Sequence, residues 1–312
     1  MPYNIDEKLV IAVASSALFD LAESDRVFRE QGEQPYRDYQ RAHEHDTLKP
    51  GIAFAFVKQL LSFNRPDEDA PVEVILLSRN DPDTGLRVFN SIAAHGLDIT
   101  RAAFLAGGEP WRYIRAYSAS LFLSANEADV RRAIMAGYPA GLVLDSVLNN
   151  EGYDTQLRIA FDFDGVIADD QAEKVFAEKG IKAFFESEVA QAHIPHNAGP
   201  LKELLDKIAQ LQKVEKSRVT EGKTREPRLR VAIVTARNAP AHTRLVTSLR
   251  EWGITVDETF LLGGLDKSRV LAEFEPHIFF DDQRIHLDAA LKVAPCVHVP
   301  FGTRNESGSP GA

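Results

Sequence analysis

LRIAFDFDGVIADD, residues 157–170, is a short apolar run, then Asp162-Phe163-Asp164-Gly165, then a second apolar pair and two more acids. An apolar run of strand length broken by a glycine predicts a buried parallel strand ending at Asp164. Side chains two apart on a strand share a face, so Asp162 and Asp164 are expected to converge on one point. In open α/β sheets that point, beyond the carboxyl ends of the strands, is where ligands bind. Two carboxylates held together repel unless a cation lies between them or one keeps its proton. The pair therefore points to a magnesium site or to a nucleophile beside an acid/base group, and one motif can serve both. Alone, Asp-x-Asp is also common in surface turns.

Three further stretches follow in order. Val231-Ala-Ile-Val-Thr235-Ala-Arg237 is a second apolar strand with a hydroxyl at its end, and Leu261-Leu-Gly-Gly-Leu-Asp-Lys267 supplies a lysine after glycines. His277-Ile-Phe-Phe-Asp281-Asp282 is a third strand ending in paired acids. The set resembles the haloacid dehalogenase-like phosphatase superfamily, whose motifs are DxDG, a strand-end Thr or Ser, a Lys and a strand-end acidic pair. All four occur here in that order.

Working outward, the first half repeats the second. Leu9-Val-Ile-Ala-Val-Ala-Ser-Ser-Ala-Leu-Phe19, running on to Val27 and Gly32, lines up with Leu157 to Ile167 and then Val175 to Gly180. Val74-Ile-Leu-Leu-Ser-Arg-Asn80 matches Ala232 to Asn238, Ala103-Phe-Leu-Ala-Gly-Gly108 matches Thr259 to Gly264, and Ser120 to Ser124 falls opposite His277 to Asp281. A period of about 150 residues means domain-sized copies rather than a solenoid. The fold expected is α/β, with two Rossmann-like, haloacid dehalogenase-like parallel-sheet units from an internal duplication. Residues 1–150 form a degenerate unit and 151–312 the catalytic one, with a small cap insertion over about 169–227. Ala14 and Ser16 stand where the second half has Asp162 and Asp164, and Ser124-Ala125 replace Asp281-Asp282. The first copy therefore lacks the charges to hold a metal or form a phosphoenzyme.

Composition is that of an ordinary globular chain: 312 residues, 44% hydrophobic and 26% charged. A formal charge of −10 with no basic run argues against a polymeric nucleic-acid partner, which needs clustered Lys and Arg. Cys296 is the single cysteine, which suits a reducing compartment. MPYNIDEKLV at the start has neither a basic n-region nor an apolar h-region, and no apolar run approaches membrane-spanning length. A cytoplasmic location without a membrane partner is the expectation, and the oligomeric state is open, a homo-oligomer included.

Thr47 to Leu61 has helical apolar spacing after a Pro-Gly start and reads as a core helix. After the strand at Val74, Arg79, Asn80 and Thr84 lie in a polar turn and are candidates for a phosphate or ribose, although a capped helix start with Arg79 in a salt bridge explains them equally. In the cap, Phe184 and Phe185 are candidates to stack on a nucleobase, against a plain core role. Arg237, two residues past Thr235, is a further substrate-binding candidate. His193 and His196 read as loop residues rather than metal ligands, and Lys213 to Arg230 as a surface connection.

A closer resemblance rests on Ala-Ser-Ser-Ala-Leu-Phe19-Asp20, LSRNDPDTGLRVFNSI from Leu77 to Ile92, the Phe-Leu-Ala-Gly-Gly run, LFLSAN from Leu121 and FDFDGVIADD. Together they are similar to the cytosolic 5'-nucleotidase I family over nearly the whole chain. That resemblance implies magnesium-dependent dephosphorylation of nucleoside 5'-monophosphates, AMP foremost, with IMP and deoxy forms as further substrates. Asp162 is then the nucleophile that forms an aspartyl-phosphate, and Asp164 the acid and later the base. Thr235 and Lys267 bind phosphate oxygens, and the metal is held by Asp162, the Asp164 main chain and one of Asp281 or Asp282. Two other readings stay open on sequence: the same chemistry on a sugar phosphate, and a nucleotide-binding sensor with vestigial turnover.

Overall fold

Runs such as Leu9-Val-Ile-Ala-Val13, apolar and buried at every position, belong in a sheet covered on both faces rather than in a sheet with one wet side. The computed structural model describes residues 3–65, 70–148 and 155–306, and its internal contacts divide the chain into two units, Met1–Tyr138 and Pro139–Ala312. The boundary expected at 150/151 lies outside the described residues.

In the first unit the strands β1 (Leu9–Val13), β2 (Val72–Ser78), β3 (Arg101–Phe104) and β4 (Leu121–Ser124) are parallel in the order β3-β2-β1-β4. Its helices are α1 (Ser15–Leu18), α2 (Ala22–Gln31), α3 (Glu33–Ala42), α4 (Phe54–Leu61), α5 (Leu86–Ala94) and α6 (Glu127–Met135). The helix expected from Thr47 begins only at Phe54. A side chain at Gly51 would lie 2.9 Å from the backbone of Ala17 and Phe19, so the chain runs flat against α1 before it turns into α4.

The second unit contains β5 (Ala140–Val143), β6 (Leu157–Phe161), β7 (Leu229–Thr235), β8 (Glu258–Leu261), β9 (Ile278–Asp281) and β10 (Cys296–His298). Their order is β8-β7-β6-β9-β10-β5, parallel except for β5 against β10. Around them lie α7 (Gln171–Ala190), α8 (Lys202–Thr220), α9 (His242–Glu251), α10 (Ser268–Phe274), α11 (Arg284–Ala290) and α12 (Thr303–Glu306). The surface connection expected from Lys213 is helical as far as Thr220. Glu215 is buried there against Arg228, and Gln212, just before it, against Asp257, so polar pairing replaces the apolar face that sequence lacked.

Both units thus share one four-strand order, β3-β2-β1-β4 and β8-β7-β6-β9. They also share a break at one place. Gly32 (φ 87°, ψ −170°) separates α2 from α3, and Gly180 (φ 78°, ψ 178°) interrupts α7. Strand pairing moves part of the sequence alignment by one residue. β2 sets Ile75 beside Arg101 as β7 sets Ala232 beside Glu258, so Ser78 answers to Thr235, Asn80 to Arg237 and Gly107 to Gly264.

Candidate active site

β6 ends at Phe161, three residues earlier than the apolar run suggests, and Asp162-Phe163-Asp164 leave the sheet as a loop. Asp162 keeps one last ladder bond, its N–H donating to Phe280 O at 2.8 Å, and Phe163 is driven wholly inward. The two acids share a cavity but not a partner. Lys267, at the start of α10, places Nζ 3.0 Å from Asp162 Oδ1 and 2.7 Å from Asp281 Oδ2. Asp164 instead accepts a fork from Arg237, Nε to Oδ2 at 2.6 Å and Nη2 to Oδ1 at 2.7 Å. Thr235 closes β7 and accepts the Arg237 N–H at Oγ1, which leaves its own hydroxyl hydrogen to donate.

Electrostatics sort the acids. Burial raises the Asp162 carboxyl, Asp281 and Asp164 add repulsion, and Lys267 only partly offsets them, so its pKa is pushed up to about 7. For Lys267 burial works against the charge, but Asp162 and Asp281 outweigh it and keep the ammonium protonated. Burial would also raise Asp281, yet Lys267 and His286 hold it below the ordinary carboxylate range. For Asp282 the help from Lys267 is outweighed: burial, then Asp162, Asp281 and Glu173, raise it well above that range. Both of its carboxylate oxygens are buried with no hydrogen-bond partner among the described residues.

A hard divalent cation supplies what this corner lacks, because an all-oxygen donor set with surplus negative charge is what such ions take. Asp162, Asp281 and His286 each bring a ligand atom within 4.8 Å of the others. Asp281, however, already serves Lys267 and the Gln283 N–H, at 2.7 and 2.8 Å, whereas the Asp282 carboxylate accepts no hydrogen bond among the described residues. Asp282 is therefore the better fit. The glycine of the motif has its reason here too: Gly165 sits at φ 72°, and a Cβ there would lie 2.6 Å from the Asp282 carboxylate. Gly165→Ala is expected to cost about 2 kcal/mol of stability from the left-handed backbone and the clash, read by thermal melts.

A cavity of about 420 Å³ opens beside these groups, lined by Asp162, Asp164, Thr235 and Arg237 at its floor. Phe176, Ile181, Phe184 and Phe185 of α7 form an apolar wall, with Phe176 and Ile181 40% and 53% exposed. Phe184 meets Phe185 and Phe176 edge-on, and the Arg237 guanidinium lies 5.4 Å from its ring. The first-half candidates do not line this cavity. Arg79 is taken up by Asp129, at 2.7 Å, and by Gly107 O, at 3.1 Å; Asn80 accepts from Tyr36; Thr84 is buried against Asp81. Sequence reasoning passed over Glu173, Phe176, Gln283, His286 and Arg304, all of which line the cavity. The i, i+3 spacing of Glu173 and Phe176 on the first part of α7 was the available signal for part of this set.

A sequence model of the 5'-nucleotidase family matches residues 1–306. The chain belongs to the 5'-nucleotidase family. Human cytosolic 5'-nucleotidase 1B is 33% identical over 306 residues, covering 96% of this chain and 50% of the human protein. The chain thus spans about half the length of the curated relative it matches. The resemblance to the cytosolic 5'-nucleotidase I family holds over nearly all of the sequence, in both units. No solved structure matches the chain significantly. Among the described residues, no helix of this family member is long and apolar enough to cross a membrane.

Proposed function

We propose that the chain is a Mg²⁺-dependent phosphatase of nucleoside 5'-monophosphates, AMP foremost, with IMP and deoxy forms also accepted. One observation carries the reading: a buried Asp162–Lys267–Asp281 cluster with the partnerless Asp282 beside it, at the foot of a cavity whose other wall is aromatic and apolar. A phosphate fits the first end and a flat base the second, which favours a nucleotide over a sugar phosphate. Family membership and the relative's name support the same activity. That name, the single cysteine and the absence of an apolar spanning helix among the described residues support a cytoplasmic setting.

Asp162 attacks phosphorus in line while the bond to O5′ breaks, giving an aspartyl-phosphate and the nucleoside. Asp164 gives its proton to the departing O5′ and later takes one from the water that cleaves the acyl phosphate. Lys267 and Thr235 donate to the phosphate oxygens. Asp162, the main-chain carbonyl of Asp164 and Asp282 would hold the Mg²⁺, which when bound neutralises charge on those oxygens. Phe184 and Phe185, with Phe176, stack against the base, and Arg237 keeps Asp164 in place. The segment 169–227 is the cap that carries this wall. The shared strand order and the glycine breaks at Gly32 and Gly180 support an internal duplication in which the first unit has lost its acids.

Phosphate release from AMP, IMP and their deoxy forms, with and without Mg²⁺, tests the assignment; no release from any of them with Mg²⁺ present defeats it. The metal position has its own check. Mg²⁺ is expected to raise the melting temperature of the wild type, and Asp282→Asn to lose most of that shift, with the Mg²⁺ concentration for half-effect rising at least about tenfold. An unchanged shift in that variant would remove Asp282 from the metal site.

A further inference from the structure

A second cluster of buried charge lies behind the catalytic acids. Glu188, on the far side of the Gly180 break in α7, is 2% exposed. Its Oε2 accepts from Arg237 Nη1 and its Oε1 from Arg244 Nη1 at 2.9 Å. His196 fills the space between: Nε2 lies 2.9 Å from Arg237 Nη2 and 3.3 Å from Glu188 Oε2, while Nδ1 meets Ser248 Oγ at 2.9 Å. The other side of Arg237 is the fork onto Asp164.

The first unit holds a matching arrangement without the carboxylate. Gln40, buried on α3 after the Gly32 break, accepts from Arg87 Nη1 at 3.3 Å. Ser91, one turn beyond Arg87, donates to Arg87 O and accepts the Leu48 N–H, as Ser248 donates to Arg244 O and accepts the His196 N–H. Asn80 stands where the second unit has Arg237, and Ser16, which has no carboxylate, where it has Asp164. An amide therefore suffices to tie this helix to its neighbour. The carboxylate of Glu188 is the addition, and it comes with Arg237.

We infer that Glu188 is a positioning residue for Asp164, acting through Arg237. With Nη1 anchored on Glu188 and on Ala241 O, the guanidinium keeps its place and its fork fixes the plane of the Asp164 carboxyl toward the leaving oxygen. The inference rests on the proposed nucleotidase reaction with Asp164 as its acid.

The test compares AMP with its bridging 5'-phosphorothiolate, whose thiolate leaves without a proton while every other contact is kept. In Glu188→Gln, which installs the residue the first unit uses, a cooperative melt is expected to persist. Turnover of AMP should fall about 30-fold with KM within about threefold, while turnover of the thio ester falls no more than about threefold. E188Q combined with Arg237→Asn should be no slower on AMP than Arg237→Asn alone, because both act along one path. Equal losses on the two esters, additive losses in the double variant, or a Glu188→Gln protein that does not fold would each overturn the inference. A wild type inert toward both esters would instead defeat the nucleotidase reading beneath it.

Discussion

Asp162→Asn is expected to lower phosphate release from AMP by about 10⁴-fold or more while leaving the protein folded, since an amide oxygen is a poor nucleophile and the oxygen-binding groups alone sustain only residual catalysis. The fold survives because Asn can still accept from Lys267, which keeps Asp281 as its counter-ion at 2.7 Å. The same substitution should stabilise the metal-free protein at high pH. Asp162 is raised from 3.8 to about 7, so the folded state binds this proton more tightly than the unfolded one. Its contribution is full below pH 3.8 and is lost as the pH rises through about 7. In EDTA at a pH well above 7, Asp162→Asn should therefore melt above the wild type, and the gap should narrow as the pH falls below 7. Residual turnover within tenfold of wild type, or a melting gap of the opposite sign, would remove Asp162 from the role of buried nucleophile.

Lys267→Met is the second large effect, and it strikes stability and activity together. The ammonium lies between Asp162 and Asp281, both buried, and its removal leaves two carboxylates facing each other out of water. Breaking such a pair costs about 3–5 kcal/mol. For a unit of this size that corresponds to a melting temperature lower by about 10 °C. Turnover should fall about 10³-fold, because charge on the transferring phosphoryl group loses its fixed partner. Adding Asp281→Asn to Lys267→Met should recover part of the stability and none of the activity. A double variant that melts no higher than the single would show that carboxylate repulsion is not the cause.

Much of this was written locally in the chain. The apolar strands, the order of the four motifs, the repeat and the family resemblance all rest on residues near one another in sequence, where period and spacing carry information. Alternation along a strand gave the right cavity for Asp162 and Asp164 by a wrong route, because the strand stops at Phe161 and a loop delivers them. The alignment of the halves slipped by one residue at β2 and at β3, since Arg-Asn was matched to Arg-Asn and Gly-Gly to Gly-Gly while hydrogen-bond registry obeys the sheet. His196 read as a loop residue with no third ligand near it in sequence. Its partners, Ser248, Arg237 and Glu188, come from other elements.

The sequence by itself determined the α/β class, the family, and which residue types could carry phosphoryl chemistry, because these depend on composition, period and short motifs. Tertiary structure alone decided the pairing of charges: Lys267 between Asp162 and Asp281, the Asp282 carboxylate without a hydrogen bond among the described residues, Arg237 shared by Asp164 and Glu188. Which acid faces which cation follows from burial and from a few ångströms of separation between distant segments, and neither quantity is encoded at any one place along the chain.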